Sequence, residues 1–260
     1  MISKSHDKFK EMKSLLKSSK QNNITATDDL QVLEIALKYN LKINLLLYSK
    51  ENIFKDETIN LLNNLIDAAK ESYEISEASY KALETKENHA GIVAAIEIPK
   101  YNLEDFKNKN FIVVLDKLEI PGNVGTIYRT LDSIKCDGVI IVDPITKINN
   151  PKITSSSRGC NLIIPTLELS YDDAQKFLLD NNFDIYLGEP LLGKNYKEYN
   201  YDTKTALVVG NERFGINENW YDNKNKKVFI PMVGNQNSLN VAVAASIIAY
   251  EIFMKKNNKN

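Results

Sequence analysis

The stretch I230-PMVGNQNSLNVAVAASIIA-Y250 decides how the rest of the chain is read. It ends a strand at Val228, Phe229 and Ile230, breaks at Pro231, turns through Gly234 and a run of amides, and enters an apolar helix. Ser238 and Asn240 stand where a helix start needs N-cap acceptors. Residues 242–248 are apolar on nearly every side, which predicts a helix buried on more than one face. A buried helix opened by a polar loop is a natural place for a ligand.

Working outward, 260 residues with 43% hydrophobic side chains can fill two domain cores. Lys plus Arg (33) almost cancels Asp plus Glu (34), so only local patches can favour a polyanionic partner. Cys136 and Cys160 have neither metal-type nor redox-pair spacing, which fits a reducing cytoplasm and predicts no metal centre. The N-terminus lacks the apolar core of a signal peptide. The longest apolar run, residues 241–250, is too short to span a bilayer, so a soluble, cytoplasmic protein is expected.

Residues 4–20 place Phe9, Met12, Leu15 and Leu16 at helical spacing, with Lys4, Lys8, Lys10, Lys13, Lys17 and Lys20 opposed by Asp7 and Glu11. That surface is either a solvated helix face or a phosphate contact through residues such as Lys8 and Lys13. Strands at 23–27, 43–48 and 91–98 alternate with helices at 28–39, 56–72 and 76–83, which predicts a small α/β domain over residues 1–98. The polar, Pro-led segment 99–110 reads as a linker. Residues 111–260 restart with nearly continuous apolar strands at 111–115, 138–142, 184–187 and 206–209, the signature of a parallel sheet covered on both faces. Such sheets bind ligands outside the carboxyl ends of their strands.

Three polar clusters sit at such ends. In I120-PGNVGTIY-R129, Gly122 and Gly125 suit a tight turn, Asn123 is placed to cap a helix, and that helix carries Arg129. The arginine suits either a carboxylate or a phosphate. In V208-VGNERF-G215, Gly210 would let a ligand lie against the backbone and Glu212 presents a carboxylate; no Lys-Ser or Lys-Thr follows, so this is not a triphosphate loop. No strand is followed by Gly-x-Gly-x-x-Gly, which weighs against a Rossmann dinucleotide site. The third cluster is the opening stretch. Ser238 and Asn240 alone are helix caps, and the three clusters together suggest one pocket.

The ordered triple Asn123-x-Gly125-x-x-x-Arg129, Gly210-Asn211-Glu212-x-x-Gly215 and Ile230-Pro-Met232 with Ser238-Leu-Asn240-Val241 resembles the SpoU, or TrmH, branch of the SPOUT RNA methyltransferases. In layout the chain is similar to the thiostrepton and nosiheptide resistance methyltransferases. The fragments VVLD (113–116), IIVD (140–143) and Ser157-Arg158-Gly159 ahead of an apolar strand ending at Pro165 support that likeness, and the N-terminal part matches in arrangement alone. The resemblance implies an α/β SPOUT fold with a trefoil knot from about residue 210 onward, preceded by a small ribosomal-protein-like α/β domain that binds substrate RNA. It implies S-adenosyl-L-methionine as methyl donor, held near Gly188, Gly210, Asn211, Ile230, Met232 and Leu239, and a homodimer. The implied reaction is 2′-O-methylation of RNA, with an adenosine of large-subunit (23S) rRNA as first expectation and tRNA or another rRNA position as the alternative. A non-catalytic RNA-binding scaffold is the reading from another class.

Within that resemblance Arg129, Asn123, Glu212, Ser238 and Asn240 are the expected catalytic residues. Arg129 would clamp the RNA phosphate and ribose oxygen, oriented by Asn123 and anchored by Glu212, while Ser238 and Asn240 hold the loop and the reacting groups. Arg158, Arg129, Lys8 and Lys13 are the expected RNA contacts, and Arg129 and Arg158 are expected to act on the cofactor of a partner chain. Deleting residues 1–98 is expected to leave a folded, cofactor-binding remainder.

Overall fold

The computed structural model describes residues 1–17, 23–83, 90–222 and 224–257; the Lys20 expected on the basic helix lies outside them. The chain divides into two compact units, residues 1–99 with 147–163, and residues 100–146 with 164–260.

The first unit opens with α1 (Asp7–Leu15), whose Phe9, Met12 and Leu15 are buried as their spacing predicts. There follow β1 (Ile24–Thr27), α2 (Leu30–Lys38), β2 (Ile43–Tyr48), α3 (Asp56–Ala68), β3 (Ser72–Glu74), α4 (Glu77–Tyr80) and β4 (Ile92–Glu97). The sheet runs β1-β4-β2-β3. β4 pairs antiparallel with β1 and β2, and β3 pairs parallel with β2. β3 was hidden in the sequence because its three residues are too few to show alternation and abut the helix expected over 56–72, which ends at Ala68.

The second unit is built on β5 (Phe111–Asp116), α5 (Pro121–Ser133) and β6 (Gly138–Val142). The chain then passes through α6 (Pro151–Ser156) before β7 (Thr166–Leu169), α7 (Tyr171–Asp180), β8 (Asp184–Gly188), β9 (Lys194–Asn195), β10 (Thr205–Val209), β11 (Lys226–Phe229) and α8 (Val241–Asn257). The seven-stranded sheet has the order β7-β6-β5-β10-β8-β11-β9, and all its pairings are parallel. β5, β6 and β10 are buried at every position, which explains their unbroken apolar runs. Strand progression reverses between β5 and β10, the kind of switch point beside which parallel sheets bind ligands at their carboxyl ends.

Three expectations change. Residues 99–110 are more than a linker: the 3₁₀ turn Leu103–Phe106 is closed by a capping box from Asn102 and Asp105. It seats a fully buried Phe106 in the core of the second unit. The Phe106 ring also explains Gly138, since a Cβ there would come within 2.6 Å of it. Second, the strand expected to end at Pro165 is the 3₁₀ turn Cys160–Leu162, and the strand begins at Thr166.

Third, residues 147–163 pack into the first unit. Thr154 shares a hydrogen bond with Thr25 at 3.0 Å. Asn149 Nδ2 donates to the Ile24 carbonyl at 3.3 Å, and a Cβ on Gly159, whose φ is +84°, would touch Ile35 and Val32 at 3.3 Å. A deletion of residues 1–98 would strip this segment of its own core, uncovering Ile153 and Leu162, which are fully buried. It would not leave the intact remainder expected from sequence.

Candidate active site

The crevice at the carboxyl ends of β8 and β10 is a cavity of about 620 Å³. Its floor is backbone and apolar, with Gly188, Gly210, Ile230, Leu239 and Ile248, and its polar lining includes Asn123, Glu189, Glu212, Ser238 and Asn240. All three sequence clusters therefore meet at one place, and Gly188, Asn211 and Met232 line it too.

Glu212 organises the wall. Its carboxylate accepts from the backbone N–H of Glu119 (3.1 Å) and Ile120 (3.2 Å) and from Asn123 Nδ2 (2.8 Å). Ile120 is the N-cap of α5 and offers no side-chain acceptor, so Glu212 supplies the negative charge and acceptors that this helix start needs. Burial pushes the Glu212 carboxyl up, but the hydrogen bonds from Asn123 and from backbone N–H groups outweigh it and hold the group below the usual carboxylate range. Glu212 is thus a fixed anion committed to anchoring.

Asn123 joins the first cluster to the third: its Oδ1 accepts from Asn240 Nδ2 at 3.1 Å. Asn240 Oδ1 in turn accepts from the backbone of Ala242 at 2.9 Å, capping α8. Glu212–Asn123–Asn240 is a continuous polar chain from the β10 loop across α5 to α8. Below it the same two helices are stitched by Thr130 with Ser246 at 2.8 Å and Ser133 with Tyr250 at 2.9 Å.

Several expected roles are revised. Asn123 lies in the first turn of α5 rather than capping it, and Gly122 and Gly125 are helical rather than a turn. Glu212 and Asn123 bond each other, not Arg129. Ser238 lines the cavity without capping α8, leaving that role to Asn240. Gly210 makes room for protein rather than ligand: a Cβ there would lie 2.3 Å from the backbone of Gly215 and Ile216. Asn211 is largely structural. Its Nδ2 donates to the Lys117 carbonyl at 2.8 Å while Oδ1 accepts from the N–H of Arg213 at 2.9 Å and Phe214 at 3.1 Å.

Sequence reasoning missed Glu189 and Tyr221. Glu189 follows Gly188 at the end of β8, lines the cavity and accepts a hydrogen bond from the Tyr221 hydroxyl. Burial, and then the bond and charge of Glu189, push the Tyr221 hydroxyl up, keeping it a donor. The only available signal was the polar Gly-Glu-Pro break after an apolar strand, and it carries no motif.

The expected cationic residues lie elsewhere. Arg129 is exposed on α5, outside the cavity lining, and has no hydrogen-bond or ion-pair partner among the described residues. Arg158 belongs to the first unit, where Nη1 donates to the buried Asp29 carboxylate at 2.7 Å. Lys8 is tied to Glu71 at 2.8 Å and Glu11 at 3.5 Å, while Lys13 is exposed in the last turn of α1.

Residues 110–250 match the model of the SpoU rRNA Methylase family. The chain belongs to this family. Among SpoU-type relatives, it is 28% identical over 203 residues, covering 78% of this chain and 80% of the relative, to the 23S rRNA (guanosine(2553)-2′-O)-methyltransferase RlmP of Bacillus subtilis (strain 168). Its fold superimposes on the SpoU methyltransferase AviRb from Streptomyces viridochromogenes, solved in complex with the cofactor AdoMet, with a TM-score of 0.85 at 21% identity over 96% of this chain and 98% of that one. An RNA 2′-O ribose methyltransferase structure matches with a TM-score of 0.81 at 25% identity, covering 98% of each chain.

Proposed function

We propose that this chain is a ribosomal RNA 2′-O-methyltransferase using S-adenosyl-L-methionine, with a guanosine of 23S rRNA as target. The observation that carries the reading is the cavity itself, where the three family motifs converge on one polar chain at the switch of a parallel sheet. The guanosine target rests on the RlmP likeness and replaces the adenosine expected from the resistance-enzyme layout. Action in the cytoplasm accompanies a ribosomal substrate, and among the described residues no helix is long and apolar enough to cross a membrane.

The cavity fits the methyl donor. A volume of about 620 Å³ lies within the range of nucleoside-sized sites, and the apolar sides of Leu239, Ala244 and Ile248 suit an adenine ring. When bound, S-adenosyl-L-methionine supplies an already activated methyl group, so the protein's work is alignment and charge placement. Asn240 and Asn123 fix the cavity wall through Glu212, and Ser238 offers a hydroxyl that no described residue engages. Glu212 is too committed to act as the proton acceptor. Arg129, permanently protonated, stabilises the negative charge developing on the ribose oxygen and holds the neighbouring phosphate. The proton leaves to that phosphate or to water.

Because Arg129 is exposed and is not among the residues that line the cavity of its own chain, we infer that it serves the cavity of a second copy. Exposed Val243, Tyr250 and Met254 on α8 give an apolar surface for that pairing. A trefoil knot over the segment after β10 and an RNA-binding role for the first unit, through Lys13 and the free edge of Arg158, complete the reading. The test is to map 2′-O-methylation on total rRNA with and without the protein and to titrate it with S-adenosyl-L-methionine. A new mark on a guanosine together with binding supports the assignment, whereas RNA binding without any affinity for the methyl donor would favour a non-catalytic scaffold.

A further inference from the structure

Phe214 is 81% exposed, yet its position is among the most constrained at the cavity. Asn211 Oδ1 accepts from both the Arg213 and Phe214 N–H groups, and Asn211 and Gly215 exchange two backbone hydrogen bonds of 2.9 Å. Gly215 sits at φ +73°, and Gly210 leaves no room for a side chain between itself and the backbone of Gly215 and Ile216. On the far side Asn211 Nδ2 and Glu212 tie the loop to residues 117–123. A loop closed this tightly has no freedom to fold a large apolar ring inward, so the ring stands at the cavity rim, where both Phe214 and Arg213 are lining residues. The Arg213 guanidinium is exposed and engages no described residue. A rigid, solvent-facing aromatic ring beside an unpaired guanidinium matches the chemistry that holds an unstacked base and its phosphate.

We propose that Phe214 stacks on a nucleobase of the substrate RNA at or beside the methylated nucleotide, and that Arg213 contacts the adjoining phosphate. The proposal rests on the methyltransferase reading. It adds a substrate-positioning surface within the loop that also anchors α5. A base stacked on a ring held at the rim would fix the rotation of its sugar before the methyl group is presented.

The test uses the full chain and a transcript of the large-subunit rRNA segment containing guanosine 2553. RNA affinity is measured at two salt concentrations, S-adenosyl-L-methionine affinity by calorimetry, and oligomeric state by sedimentation. Phe214→Ala is expected to weaken RNA binding roughly 5- to 150-fold, the range of one lost base stack. Phe214→Tyr should retain affinity, and Phe214→Leu should not, although it keeps most of the apolar area. Arg213→Ala should weaken binding and lower the salt slope by about one. Sedimentation should be unchanged throughout, and methyl-donor affinity should fall far less than RNA affinity because both residues stand at the rim of the donor cavity. RNA affinity unchanged in Phe214→Ala overturns the proposal, as does Phe214→Leu binding as well as Phe214→Tyr. A changed oligomeric state in Phe214→Ala would also overturn it and assign the ring to a protein interface. A wild-type chain that binds no S-adenosyl-L-methionine overturns the methyltransferase reading and the proposal with it; donor binding with a null Phe214 series overturns the proposal alone.

Discussion

Asn123 and Arg129 lie on the same helix and have opposite environments. Asn123 is held on both ends of its amide, by Glu212 and Asn240, while Arg129 is exposed and engages no described residue. The amide side of α5 is finished: its polar groups satisfy one another and shape a cavity without help from outside. The arginine side is open: a permanently charged fork lies outside the cavity lining with no partner among the described residues. The motif residues of this helix are therefore of two kinds, one that builds the cavity wall and one left open to solvent, and their hydrogen bonds separate them.

The contrast is sharpest under substitution. Arg129→Ala should lower methylation by roughly 100-fold or more while leaving S-adenosyl-L-methionine affinity and thermal stability nearly unchanged; a parallel loss of stability would make Arg129 a structural residue instead. Glu212→Ala should show the reverse emphasis. Leaving the Glu119 and Ile120 N–H groups and the Asn123 amide without their acceptor should cost about 1–3 kcal/mol in urea unfolding, with weaker methyl-donor binding as a consequence. If activity falls with stability intact, Glu212 takes part in chemistry directly.

Acid should act on the same carboxylate. Glu212 titrates lower in the folded chain than its ordinary value, so its contribution is present above the unfolded pKa and is lost as pH falls through the folded one. Wild type should therefore lose stability relative to Glu212→Gln on going below about pH 4.5, and parallel acid limbs would contradict the anchoring role. Asn240→Ala should cost about 1 kcal/mol as a lost helix cap, and combining it with Asn123→Ala should give less than the sum of the two. The smallest effect belongs to Ser238→Ala, which should stay within about 0.5 kcal/mol of wild type because the hydroxyl caps nothing.

Much of this was legible in the sequence. The buried parallel strands announced themselves as unbroken apolar runs, and the three polar clusters marked the carboxyl ends at which ligands bind. Local roles were harder to read. Asn123 looks like a cap because it follows a Pro-Gly pair, but Pro121 starts the helix and the capping charge arrives from Glu212, far along the chain. Gly210 looks like room for a ligand and is room for the backbone of Gly215. Arg158 looks like a free phosphate ligand because its partner, Asp29, lies far back in the chain; that carboxylate also caps α2, accepting from Gln31 N–H through Oδ1 and from Arg158 through Oδ2. The Glu212 and Asp29 contacts are distant in sequence, which spacing cannot encode, and the Gly210 contact depends on how tightly the loop back to Gly215 closes.

Whether the arginine on α5 completes the cavity of another copy is tested most directly by mixing two inactive variants. Ala244→Trp fills the cavity, and Arg129→Ala removes the guanidinium; each alone should be inactive. Co-expressed and randomly paired, they should regain about a quarter of wild-type methylation, because each mixed pair holds one intact cavity facing one intact arginine. A mixture as inactive as its parents would place Arg129 with its own chain's cavity and contradict a site shared between two copies.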